Sequence, residues 1–331
     1  MKRPTRRTLR FVPWRLLLFG VLPTLLLAGG AVAAIRPWGT ALPPAETVPP
    51  TTPPVAAAPT PPSPSGVGPV PRVFPNADST GVPDGVTLHP SRGMVVEEDG
   101  TVLENLLIVD GSIDIYANNV VVRNVRITNE RREVLWGILQ REGYSGLVVE
   151  DSEIFGNGVH QFATGIANHG GMATIRRVEI HTVTDGVVMS SGILEDSYLH
   201  SPKYFPDDHT DMVQANGGPE GGLELVIRNN TIINTEDQTG AVSLFDNFRP
   251  VRNVRVEGNL LAGGGYTFYG GGYLADGATP ANIVVVNNVF SRRVFPDSGY
   301  YGPVAYFDPD APGNVWEGNV WEDDGKPVPP A

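Results

Sequence analysis

"VVVRNVRI" at residues 120–127 and "LVVEDSEI" at 147–154 decide the fold, because each is the same phrase: an apolar run, two polar residues, then a second apolar step. The phrase returns as "ATIRRVEI" (173–180), "GILEDSYL" (192–199), "LVIRNNTI" (225–232), "VRVEGNLL" (254–261), "IVVVNNVF" (283–290) and "NVWEGNVW" (314–321). Its last residues fall at 127, 154, 180, 199, 232, 261, 290 and 321, so the period runs from 19 to 33 residues. Such gaps are too short for a strand–helix–strand unit each time, and no stretch between them keeps a helical apolar period. Short β-branched strands bent by Asn, Asp and Gly suit a coil that returns to stack upon itself.

The expected architecture is therefore all-β, a right-handed parallel β-helix. Asn229, Asn230, Asn259, Asn288 and Asn319 fall at the bends. Asparagine tolerates the left-handed backbone region there and can pass an amide hydrogen bond to the next coil, so these residues need no functional role. "TVLENLLIVDGSIDIYANN" (101–119) is expected to supply the first coils.

Between these phrases lies a second column: "WGILQ" (136–140), "TGIANH" (164–169), "DGVVMS" (185–190), "DMVQAN" (211–216) and "TGAVSLFD" (239–246), continued by "YTFY" (266–269) and "GPVAYF" (302–307). Ile138, Ile166, Val187, Val213 and Ala241 read as one inward ladder, and their neighbours point outward. Asp185 and Asp211 then share a position in consecutive coils, with backbones about 5 Å apart, flanked by Thr164 and Thr239. Two carboxylates that close cannot both ionise cheaply, so a pKa rises or a cation sits between them. His169, Gln214 and Asn216 are expected on the same face, with His209 just before Asp211.

Outside the repeats the chain changes character. Residues 1–36 carry seven basic residues and no acid, and Leu16–Ile35 is an uncharged stretch of bilayer-spanning length. The basic flank places the N-terminus in the cytoplasm. Ala31-Val32-Ala33 equally fits a signal-peptidase site, so cleaved signal and retained anchor both stand. Residues 37–71 form a Pro-rich stalk expected to be extended, and residues 72–331 the β-helix domain. That domain holds 17 Lys or Arg against 35 Asp or Glu, a net of −18, which repels nucleic acid. With no Cys in the chain, stability outside the cell comes from burial and backbone pairing. No His pair has a zinc spacing such as HExxH.

With "FPNADSTGVPDGVTL" (74–88), "DDHTDMVQANGG" (207–218), "GGGYTFYGGG" (263–272) and the closing "GNVWEGNVWEDDGKPV", the chain resembles the exported right-handed β-helix proteins of actinobacteria, within the pectate-lyase-like superfamily. The resemblance covers about 72–331 and implies a scaffold on which many chemistries occur.

Three functions follow as expectations, all with polysaccharide or cell-envelope glycan as partner. A lyase would use Lys203 or His209 as base, with Asp211 alongside, and Ca2+ on Asp185, Asp211 and Asp208 or Asp207. Lys203 is the single Lys in the body of the domain. A glycoside hydrolase would divide acid and base between Asp185 and Asp211. A non-catalytic glycan binder would need only the groove. Sugar-stacking candidates are Tyr204, Phe205, Phe245, Phe248, Tyr266, Phe268, Tyr269 and Tyr273.

Overall fold

The computed structural model describes residues 73–271 and 280–330. The expectations for residues 1–36 and 37–71, including the membrane segment at 16–35, and for Tyr273 lie outside the described residues. What is described is all-β, with 26 short strands and no helix. Every strand ladder is parallel, in one sheet of 17 strands and one of nine. The pairing is that of a parallel β-helix: each coil lends two short strands and the bend between them to the first sheet, then one strand to the second.

The repeat phrases all lie in the first sheet. Their closing residues meet in one register, Ile127 on Ile154, Ile154 on Ile180, Ile180 on Leu199, then Ile232, Leu261, Phe290 and Trp321. These side chains point inward against the ladder of the second sheet, which runs Ile113, Ile138, Ile166, Val187, Val213, Val242, Phe268 and Val304. Both ladders belong to one continuous apolar core, where a buried Ile or Leu contributes about 1.5–3 kcal/mol.

The bends use two adjacent columns for two different jobs. The first takes the left-handed conformation, with φ of 53° at Asn124, 49° at Asp151, 51° at Arg177, 50° at Asp196, 51° at Asn229 and 56° at Asn287. The second points inward and links the coils. The Asn259 carboxamide oxygen accepts from the Asn230 backbone N–H (2.9 Å) and amide (3.0 Å), and Asn288 and Asn319 repeat the pattern. Earlier coils place Ser152 and Ser197 there, whose hydroxyls accept the N–H of Val125 and Val178. Asn229 thus serves backbone geometry, whereas Asn230, Asn259, Asn288 and Asn319 form the buried ladder. Among the described residues no buried polar side-chain atom lacks a partner.

One register expectation is corrected. Val213 pairs with Val242, not with Ala241, so Gly240 and not Thr239 stands beside Asp211. Thr239 takes a left-handed φ of 31°, and the Thr239-Gly240 pair stands one residue further from its ladder residue Val242 than Thr164-Gly165 does from Ile166. Ala241 is buried all the same.

Candidate functional site

Asp185 opens the strand Asp185–Met189, and Asp211 stands two residues before the Val213 that pairs with Val187 in that strand. The Asp211 backbone N–H donates to Asp185 Oδ1 at 2.9 Å, so the two acids are in direct contact across neighbouring coils. Asp211 is completely buried although it lies on the outward face. Its carboxylate accepts from the Gly240 N–H (3.2 Å), from Gln214 Nε2 (3.2 Å) and from the Ser243 hydroxyl. A Cβ on Gly240 would come within 2.6 Å of Ser243 Oγ and 3.1 Å of the Tyr269 ring, so only glycine lets this coil close over Asp211.

Burial is the main electrostatic fact here. It pushes the Asp211 carboxyl up to about 7, opposed by the donors Ser243, Gly240 and Thr239. Asp185 is held well above the usual carboxylate range by burial first, then by the charges of Asp211 and Asp208. Donors surround Asp211, whereas Asp185 receives one backbone N–H and two negative neighbours; the proton shared by the pair therefore favours Asp185 at neutral pH.

Asp208 reaches this pair from the loop between the strands Tyr198–His200 and Val213–Ala215. Gln161 Nε2 donates to Asp208 Oδ2, and Asp208 Oδ1 accepts the N–H of His209 at 3.0 Å. The loop and the following turn are pinned from below by Asn234, which is completely buried. Its amide donates to the carbonyls of Thr210 (2.6 Å), Gln238 (3.0 Å) and Gly240 (3.1 Å).

Aromatic rings continue the site on its later-coil side. Tyr269 feels the charge of Asp211, and burial with that charge raises its phenol, so it is a neutral hydroxyl. Its ring meets Tyr266 at 5.5 Å, Phe245 at 5.4 Å and Tyr306 at 6.0 Å, while Tyr266 meets Tyr301 at 5.8 Å. Phe268 belongs to the core, not to this surface, because it occupies the inward ladder beside Val242 and Val304.

The structure thus gathers Asp185, Asp208, Asp211, Gln214, Phe245 and Tyr266. Asn216 extends the network one step further, donating to Gln214 Oε1 (3.3 Å) and accepting from Asn247 (2.7 Å). Lys203 is exposed; its backbone N–H donates to the Val183 carbonyl, and among the described residues its ammonium makes no ion pair. Tyr204 and His209 lie on the same loop, and both are exposed. His169 belongs elsewhere: it follows the strand Phe162–Asn168, about 16 Å along the chain from the Thr164 that pairs with Asp185. Its neighbours are Arg141 and Glu142; burial, then the Arg141 charge, holds it below the usual imidazole range. Gln161, Gly240 and Ser243 belong to the site without standing out in the sequence, since they come from coils other than that of Asp211 and are common residue types.

A calcium ion needs six or more oxygens free to ligate. Here Asp211 spends its oxygens on three protein donors, and among the described residues no three of His, Cys, Asp and Glu are grouped to hold a metal. Neither a protein-family model nor a curated protein matches the chain, so what this site does is argued from its own chemistry.

Proposed function

We propose that the chain is an exported glycan-cleaving enzyme in which Asp185 is the proton donor and Asp208 the base. The observation that carries this reading is the direct contact of the half-buried Asp185 with Asp211, whose N–H donates to Asp185 Oδ1 at 2.9 Å, where burial and the negative charges of Asp211 and Asp208 hold the Asp185 carboxyl well above the usual range. Glycoside hydrolysis uses that asymmetry: one carboxyl gives a proton to the leaving oxygen and another takes one from the attacking water. Asp211, buried and saturated with donors, acts through Asp185 as a positioning residue. The resemblance to pectate-lyase-like β-helix proteins and the right-handedness common to parallel crossovers support a right-handed helix. The basic, apolar and Pro-rich N-terminal sequence supports display outside the membrane, whether anchored by residues 16–35 or released after cleavage.

The lyase reading is weaker on this geometry. Its cation would compete with Ser243, Gly240 and Gln214 for Asp211, and Ca2+ is left out of the proposal. Lys203 and His209 keep a role at the rim of the loop as contacts to substrate.

The test is turnover by the full chain on a panel of polysaccharides. Reducing ends should appear without unsaturated, ultraviolet-absorbing products, and a chelator should leave the rate unchanged. Asp185→Asn should lose roughly 10²–10⁴-fold in kcat, the usual contribution of a general acid. Loss of activity with chelator, or an Asp185→Asn variant as fast as the parent, would return the lyase or the purely binding reading.

A further inference from the structure

Among the described residues the acids themselves have no cationic partner, and the one unpaired ammonium of their loop, Lys203, stands at its exposed rim. Four arginines of the first sheet are taken up by acids beside them: Arg123 by Glu104, Arg126 by Glu153, Arg176 by Glu150 and Arg228 by Glu195. On the second sheet, Arg141 is held by both oxygens of Asp114 (2.6 and 2.5 Å). Among the described residues no Lys or Arg pairs with Asp185, Asp208 or Asp211, so a uronate, sulfate or phosphate seated against these acids meets three carboxyl groups, with Lys203 the only cation on their loop.

The tyrosines point the same way. Tyr300, Tyr301 and Tyr306 are 55%, 59% and 50% exposed, and rings connect them to the site, Tyr300 to Tyr301 (4.9 Å), Tyr301 to Tyr266, and Tyr306 to Tyr269. Tyr306 takes φ 58°, a conformation that costs a bulky residue energy and is retained where the surroundings enforce it. Tyrosine offers an apolar face and a neutral hydroxyl, which matches a sugar ring with its alternating C–H face and hydroxyl rim. From the coil of Asp185 to that of Tyr306 is four coil steps, about 19 Å along the axis.

We infer that the ligand is an uncharged glycan, laid along the helix axis from Asp185 over Tyr266 and Tyr269 to Tyr301 and Tyr306. The inference rests on the proposed function for where the chain is cut, but not for what is bound. The experiment uses the full chain carrying Asp185→Asn, which keeps the neutral form of that side chain and stops turnover, on an array of neutral, amino-bearing and uronate-bearing oligosaccharides. The glycans retained should be uncharged, and Tyr301→Ala and Tyr306→Gly should each weaken retention several-fold, about tenfold together, without lowering the unfolding temperature. Retention of uronate-bearing or amino-bearing chains in preference, retention of nothing, or tyrosine variants that bind like the parent overturns it. A glycan that is retained but not cut by the parent protein overturns the proposed hydrolysis alone.

Discussion

At the scale of single residues, buried Asp211 and half-buried Asp185 trade stability for chemistry, and pH reveals the trade. Burial raises both carboxyl pKa values in the folded protein, Asp211 to about 7 and Asp185 well above the usual range. A group raised in this way contributes stability that is complete below the unfolded carboxyl pKa, about 3.9, and that is lost as pH climbs through the folded value. The unfolding free energy should therefore fall from about pH 4 to about 7 through Asp211, with Asp185 adding to the fall, at a slope of up to ~1.4 kcal/mol per pH unit for each proton lost. Asp185→Asn, which keeps the oxygen that accepts the Asp211 N–H, should flatten that slope and be the more stable protein above pH 7. Urea titrations at several pH values measure this, and parallel curves for parent and variant would contradict it. Asp185 and Asp211 were legible in the sequence because aligning the second-column strands on their inward ladder put them at one position in successive coils. Ser243 and Gly240 were not: the left-handed Thr239 shifts the register by one, and no local pattern marks such a shift.

At the scale of the coil, a bend needs one residue that accepts positive φ and another whose side chain answers the backbone of the next coil. Asparagine can do either, so the sequence shows the bend but not which Asn has which task. The energetic consequences differ. Asn259 sits completely buried between Asn230 and Asn288, accepting two hydrogen bonds from the one and donating to the other, with a further donation to the Ile227 carbonyl at 2.9 Å. Asn259→Ala leaves several buried polar groups without partners and should cost about 2–4 kcal/mol. Asn287 holds the left-handed position that Gly258 and Gly318 hold in adjacent coils, at φ of 65° each, so Asn287→Gly should cost under about 1 kcal/mol. Denaturant midpoints of the two variants settle the division of labour; equal losses would show that the two columns are not distinct. Much of the fold was readable at this level because the period of the apolar residues is itself the architecture. The eight closing residues at 127 through 321 stack one upon another, and every one was visible as the end of a phrase.

At the scale of the whole molecule, a stack of coils has a problem at each end, where a core layer and two strand edges would face water. At the early end the edge strand His89–Ser91 carries Pro90, which has no N–H to offer a further strand. At the late end the chain folds back on itself: Val320 bridges Pro327, the Trp321 N–H donates to the Lys326 carbonyl (2.9 Å), and Val328 is buried. Trp316 closes the core beneath this flap, packing on Phe268, Phe290 and Phe307 at 5.2–5.9 Å while its indole N–H donates to the Val328 carbonyl at 2.7 Å. Stability in such an array is a sum over coils and their interfaces, so damage at one end need not spread. Trp316→Ala removes a large part-buried ring and the anchor of the flap, about 3–5 kcal/mol at that end. Hydrogen exchange should then accelerate in the strands Gly302–Ala305, Val315–Glu317 and Val320–Trp321, while Val121–Thr128 and Leu147–Glu150 keep their protection. The tyrosine face lies on the same late coils, so this variant should also bind glycan less well, whereas Asp211, three coils before Tyr306, and its donors Gly240 and Ser243, two coils before it, stay in place. Uniform loss of protection from end to end would instead mean that the coils unfold as one cooperative unit.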